Sequence, residues 1–508
     1  MRIAGQGKGG MSRRGVLTAA AAALVAPVAA LAAQRGGSLK SLLERVSGLA
    51  DRAQRLAALR AGRAERFSRS DRAILDMIVR GLEREGELRR LFPFGRADGS
   101  SPYVLSHRQG AYLQIEPGSQ EPAETARRID EETEQLRADS ARGVVPPVFL
   151  IDAVVAAERT LLARNLTRDL SASLNRQVAA LERLRPGAAR APGVWRLPGG
   201  ADYYASRLRC TAGIDDSPVE VERRVAAETK RLLARAGRLL EGIGLSRGSV
   251  GARLRALKRR PQFLYPNDGP GRTRAVADMN SALARLRPHL PQWFDPPIEL
   301  AGAVRRMSPA DERAGRRGYR EPATTAGPGA YYPDLSAVQE RPSWTLTTVA
   351  LHETLPGHLL QLARQRLADP HPLQLQYAPG YSEGWAIHAE ALVDEIGLLS
   401  PVEQLGFLQS ALFRLARVTA DIGIHLRRWE RPQAVHYLEE TIGFELFFPF
   451  AVEVDRYSAE PASFAGDAVV FLTLEKIAPK RPGPGARRFH AAVLDRGPLS
   501  AKAIEAII

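Results

Sequence analysis

Cysteine is nearly absent: Cys210 is the only one in 508 residues. A single thiol forms no intramolecular disulfide, so no covalent cross-link holds the fold. It also leaves no cysteine near the start of the chain for a lipid anchor. No base is recognisable beside Cys210, and it reads as a small buried hydrophobe, not a nucleophile. Lysine is scarce too. Seven of the 72 basic residues are lysine, so 65 are arginine. The arginines alternate with acids, as in "LEREGELRR" (Leu82–Arg90), and no basic block alternates with aromatics. The net charge of +16 therefore reads as a solvated arginine-rich surface, and no nucleic-acid partner is expected.

Long apolar runs are missing as well, with one exception. Val16–Leu31 follows "MSRRGVL" and ends in the small residues of "ALAA" (Ala30–Ala33). A charged start, an apolar stretch and an A-x-A site make an export signal. The paired Arg13 and Arg14 give it the twin-arginine type, expected over residues 1–33, with Met11 as an alternative start. The expected location is periplasmic or secreted. The run is short of the roughly 18–20 apolar residues that a membrane span needs, and Pro27 interrupts it, so no stable membrane insertion is expected after cleavage.

Convincing alternating hairpins and internal repeats are also lacking. What is present is helix after helix. Leu39–Ala61, Ser68–Glu85, Glu121–Arg142, Pro147–Leu162, Leu170–Leu184 and Pro218–Leu245 carry apolar residues at i, i+3, i+4, i+7 spacing. Ser217 caps the last of these, with Pro218 in its first turn and Glu220 at the capping-box position. Val148–Ala156 also fits a strand. Tyr265–Thr273 and the Gly- and Pro-rich Gly315–Ser343 read as irregular loops. The expected fold is all-α with minor β: one domain over residues 34–508, with a helical half (34–300) and a second half (301–508).

The second half opens on "ALHETLPGHLLQ" (Ala350–Gln361). This is close to the zinc-protease pattern H-E-x-x-H, but the second histidine comes six residues after the first. On a regular helix, residues six apart differ by about 240°, so His352 and His358 would face apart. Pro356 lacks the N–H a regular helix needs there, and Gly357 tolerates unusual backbone angles. Two readings stay open. Either two residues loop out and restore a shared face, or one helix ends and another begins after a Pro-Gly turn. Then "YSEGWAIHAE" (Tyr381–Glu390) reads as a helix start capped by Ser382. Glu383 lies 25 residues after His358, which suits a third, carboxylate ligand. Glu390 falls on the same face and is placed to hold a histidine's second nitrogen.

These motifs make the chain resemble a bacterial family known as domain of unknown function 885. The family's ordered stretches stand here as "HETLPGH", "SEGWA", "DIGIH" (Asp421–His425) and "EVDRY" (Glu453–Tyr457). "PGAYYPDL" (Pro328–Leu335) and "RRFHAAVLDRGPL" (Arg487–Leu499) also look like family segments. The resemblance implies a helical fold in the style of thimet oligopeptidase, Taq-type carboxypeptidase and angiotensin-converting enzyme, whose two halves enclose a zinc site in a channel. It also implies a zinc-dependent peptidase, with one zinc ion on His352, His358 and Glu383, and Glu353 as base. Leu359, His388 and "EPASFAGDA" (Glu460–Ala468) depart from the family pattern, which touches substrate contacts and leaves the ligand set intact.

Five further residues complete the expected site. Asp421 and His425 are four apart on the helical run Pro401–Arg428, where an acid can orient an imidazole or form a surface pair. His425 and Tyr457 are expected to stabilise an oxyanion. Arg456 is expected either to bind a substrate carboxylate or to pair with Glu453. Tyr331 lines the cleft or packs. The resulting expectation is an exported zinc metallopeptidase acting on short peptides. Its rivals are an amidase on a non-peptide or cell-wall amide, and a non-catalytic helical binding or scaffold protein.

Overall fold

The computed structural model describes residues 38–115, 121–295, 302–324 and 328–508. The expected signal over 1–33 lies outside them. The chain divides into two compact units, Met1–Leu75 and Asp76–Ile508.

In the first unit, the single helix expected over Leu39–Ala61 is two, Leu39–Ser47 and Arg52–Gly62. The chain breaks because Asp51 caps a new start, its carboxylate accepting from the Gln54 N–H at 2.9 Å. Leu42, Leu43, Val46 and Leu59 are buried.

The second unit is helical, apart from one small sheet. Val148–Leu162 is a helix and not the strand also considered for it. Its Leu150, Ile151, Val154 and Val155 are buried, and it packs against Arg168–Leu184. Helix α1 (Pro218–Gly242) starts as expected, with both arms of the Ser217–Glu220 capping box formed. The sheet comprises β1 (Ala303–Val304), β2 (Tyr319–Glu321) and β3 (Ala330–Tyr332), in the order β1-β3-β2. The β1–β3 pair is parallel and β2–β3 is antiparallel, with Arg320 opposite Tyr331. Strands β2 and β3 lie within the stretch Gly315–Ser343 read as irregular.

Four helices then frame the site: α2 (Ser343–Glu353), α3 (His358–Ala368), α4 (Tyr381–Glu395) and α5 (Pro401–Leu426). Helix α5 packs against α1, α2 and α4. It is buried almost all round, as suits a core helix, and each fully buried Leu or Ile contributes about 1.5–3 kcal/mol. Gly406 lets α2 approach, since a Cβ there would stand 2.4 Å from the Trp344 carbonyl oxygen. Because α1 and α5 pack directly, contacts cross the 300/301 line. After α5 comes α6 (Phe450–Ala459), whose Val454 and Tyr457 join Phe413, Ala416 and Ala420 in a buried cluster. Among the described residues no helix is long and apolar enough to cross a membrane.

Candidate metal centre

The two histidines meet across a break in the chain. Helix α2 ends at Glu353 and α3 begins at His358, so nothing bulges inside one helix. The Leu355–Pro356 bond is cis, and the Gly357 N–H returns to the Leu351 carbonyl at 3.2 Å. Only glycine fits at 357, because a Cβ would sit 1.9 Å from the His352 carbonyl oxygen. The Trp385 indole N–H donates to the Pro356 carbonyl at 3.0 Å and ties the break to α4. Both sequence readings are thus half right: the helix ends, yet the histidines converge. Their ring centroids are 4.7 Å apart and the rings are nearly perpendicular.

Helix α4 delivers the carboxylates. It starts at Tyr381 behind Gly380 in the left-handed region, so Ser382 is not its cap. Instead the Ser382 hydroxyl donates to Gln361 Oε1 at 2.9 Å and stands 3.1 Å from His358 Nδ1. With its one proton spent on Gln361, Ser382 accepts from His358. That puts the proton of His358 on Nδ1 and leaves the Nε2 lone pair free. His352 Nδ1 lies 2.6 Å from Glu390 Oε1, which also accepts from the Ser410 hydroxyl at 3.0 Å. Each ring therefore has one nitrogen held from behind and presents Nε2 forward.

Both Nε2 atoms face Glu383, His352 at 3.4 Å and His358 at 3.5 Å. These distances are long for charge-assisted hydrogen bonds, which run about 2.7–2.9 Å. They fit donors around one tetrahedral ion, which stand about 3.3 Å apart when each bond is about 2.0–2.1 Å. His358 Nε2 is buried with no hydrogen-bond partner. All three ligand atoms lie within 4.8 Å of one another, so this group could hold a metal ion.

The electrostatics favour a cation. Burial pushes the His352 pKa down, but the Glu383 and Glu390 carboxylates outweigh it and raise it to about 10. A metal ion competes with that proton for the same lone pair. Burial, helped by the neighbouring His352 and Arg320 and opposed by Glu383, pushes the His358 pKa down. Burial would raise the Glu383 pKa, yet Arg414, with Nη2 at 2.7 Å, and the histidines hold it well below the usual carboxylate range. Glu383 is also the open member of the group, with its side chain 37% exposed.

His352 and Glu383 border a cavity of about 650 Å³, within the range of small-ligand sites. Glu353 lines it and pairs with Arg320 of β2. Tyr331, expected at the cleft, lines it too, and burial next to Glu353 raises its hydroxyl pKa. Glu390 and Arg456 also reach the wall, and Arg456 makes the Glu453 pair at 2.5 Å.

Asp421, His425 and Tyr457 do not line the cavity. His425 is fully buried, and both nitrogens are engaged: Nδ1 accepts from the Val194 N–H and Nε2 donates to the Tyr457 carbonyl, each at 3.1 Å. Asp421 accepts from the Tyr204 hydroxyl at 2.6 Å and from the Ala462 N–H at 3.0 Å. It stands 3.4 Å from His425 Nε2, so the acid–histidine juxtaposition is present but in the core and not at the surface. Tyr457 is equally buried. Sequence reasoning missed Arg320, Arg414, Arg417 and Ser410. Nothing marked these arginines among 65.

The model of a bacterial family of unknown function, DUF885, matches residues 34–508. The chain belongs to that family. Among solved structures, one described as "the putative lipoprotein from Colwellia psychrerythraea" has 21% identity and a TM-score of 0.69, covering 94% of this chain and 92% of that one. A "putative lipoprotein of unknown function from Shewanella oneidensis" has 15% identity and a TM-score of 0.61, covering 96% and 97%. At these identities the likeness is one of fold. No curated protein matches. The one cysteine of this DUF885 chain, Cys210, lies inside the helix Gly200–Ala212, and burial pushes its thiol up to about 11.

Proposed function

We propose that this chain is a zinc-dependent peptidase that hydrolyses short peptides. One observation carries the reading. Two histidines, each held from behind, and a carboxylate converge at a cavity wall beside Glu353. His352, His358 and Glu383 would hold one ion, and two imidazoles with one carboxylate favour zinc. When bound, such an ion supplies Lewis acidity and brings the pKa of a water towards neutrality. Glu353 takes the proton from the attacking water and returns it to the leaving nitrogen. Arg320 fixes that carboxylate against the wall. The Tyr331 hydroxyl, kept protonated by burial, donates to the oxygen that becomes negative. We assign that role to Tyr331 and not to His425 or Tyr457, because Tyr331 lines the cavity. The export-type reading of residues 1–33 and the lipoprotein names of the two similar structures favour a site of action outside the cytoplasm.

The test uses purified protein and its Glu353→Gln variant. Metal content is measured by elemental mass spectrometry, and cleavage on a mixed fluorogenic peptide library. The variant is expected to keep its metal and lose about 10²- to 10⁴-fold in kcat/KM. Native protein that takes up no stoichiometric metal and cleaves nothing would sink the reading. Metal uptake with cleavage of non-peptide amides alone would favour the amidase. Metal-free protein that binds peptides intact would favour the scaffold.

A further inference from the structure

Beyond Arg414, a second arginine faces the same cavity and has no evident structural task. Arg417 is 4% exposed and lies three residues after Arg414 on α5, so the two share a face. Its nearest carboxylates are too far for good hydrogen bonds. Glu453 Oε2 is 3.6 Å from its Nε and Asp467 Oδ2 is 3.8 Å from its Nη1. Its Nε is buried with no hydrogen-bond partner. A buried, under-bonded guanidinium is costly unless an anion completes it.

The surroundings pre-shape such a site. The Arg417 guanidinium lies over the Phe464 ring at 3.6 Å, which fixes its plane. Arg456 lies over the same ring at 4.8 Å and also lines the cavity. Its Nη1 is spent on Glu453, but its Nε is unpaired. Three guanidiniums, of Arg414, Arg417 and Arg456, face Glu383, Glu453 and Asp467.

We propose that Arg417, supported by Arg456, is a binding subsite for a substrate carboxylate. The planar fork of arginine suits a carboxylate's two oxygens. The proposal rests on the peptidase reading and adds a direction to it. Three residues of helix rise about 4.5 Å, and an extended peptide advances about 3.4 Å per residue. A carboxylate at Arg417 therefore leaves room for one or two residues beyond the bond cleaved at the ion. If the carboxylate is the chain terminus, the enzyme trims peptides from the C-terminal end. If it is an acidic side chain, the enzyme cuts just before Asp or Glu.

The experiment is calorimetric titration of the full-length Glu353→Gln protein, which should bind without turnover. Three probes are used: acetyl-Ala-Ala-Ala with a free carboxylate, its C-terminal amide, and acetyl-Ala-Glu-Ala amide. Hydrogen bonds to a charged group predict that a carboxylate-bearing probe binds roughly 10- to 150-fold tighter than the neutral amide. Preference for the free acid identifies the terminus, and preference for the glutamate amide identifies a side chain. Arg417→Gln is expected to erase the preference, and Arg417→Lys to keep part of it. The three-probe comparison stands even where a variant fails to fold. Equal binding of all three probes overturns the subsite and leaves the peptidase reading intact. If no probe binds and the native protein cleaves no library peptide, both fall.

Discussion

Glu158 and Glu390 are both fully buried on helices, and their fates are opposite. Neither oxygen of Glu158 has a hydrogen-bond partner. Burial and the nearby Glu132 push its pKa up to about 8, so near neutral pH it is mostly a protonated carboxyl. Glu390 has His352 and Ser410 on one oxygen. Burial raises its pKa too, but His352, Ser410 and Arg414 work against that. The difference lies in what faces each acid, not in depth. A proton neutralises a buried acid that has no hydrogen-bond donor and stands near another acid. An imidazole beside the acid works against protonation and in return has its ring aimed. Only the second arrangement stands behind a group that could hold a cation.

The comparison breaks most sharply at Glu158. Its folded pKa of about 8 lies above its ordinary 4.5, so the folded state holds its proton longer. Stability from this residue is full below about pH 4.5, falls as pH rises to about 8, and levels off above. Linkage puts the loss at roughly 4 kcal/mol by pH 8. Denaturant unfolding at pH 4.5 and pH 8 measures it. Glu158→Gln is expected to flatten the profile, and an unchanged slope would show that Glu158 is not the source.

The other arm is broken at Glu390. Glu390→Gln keeps the size and removes the charge, so the imidazole loses its anionic partner. Such partners are worth about 10- to 100-fold in metal affinity. Competition titration with a chromogenic chelator reads this directly. Affinity within twofold of native would mean that Glu390 neither orients nor polarises His352.

How legible was all this beforehand? His352, His358, Glu383 and Glu390 were readable because local spacing on predicted helices limits where side chains can meet. The turn at Pro356–Gly357 was readable as a disruption, although its form was not. The helical fold followed from periodicity, and the split at Asp51 shows how a cap overrides a continuous apolar pattern. The roles of His425 and Arg417 were not legible, because they depend on distant partners. His425 is held by the backbone of Val194, 231 residues away. Arg417 differs from the many solvated arginines only in what packs around it. Glu158 carries no mark in the sequence for the same reason.

The finest test asks whether the support behind His358 matters as much as that behind His352. Glu390 offers His352 a carboxyl group, whereas Ser382 is a neutral hydroxyl whose own proton goes to Gln361. Ser382→Ala removes the acceptor of the Nδ1 proton, so the preference for a free Nε2 weakens without any charge being lost. A neutral hydrogen bond is worth about 0.5–1.5 kcal/mol, so metal affinity should fall by roughly 2- to 12-fold, less than for Glu390→Gln. The same chelator titration ranks the two variants. A larger loss from Ser382→Ala would reverse the ranking, and would mean that fixing the neutral ring's tautomer outweighs charge in assembling this centre.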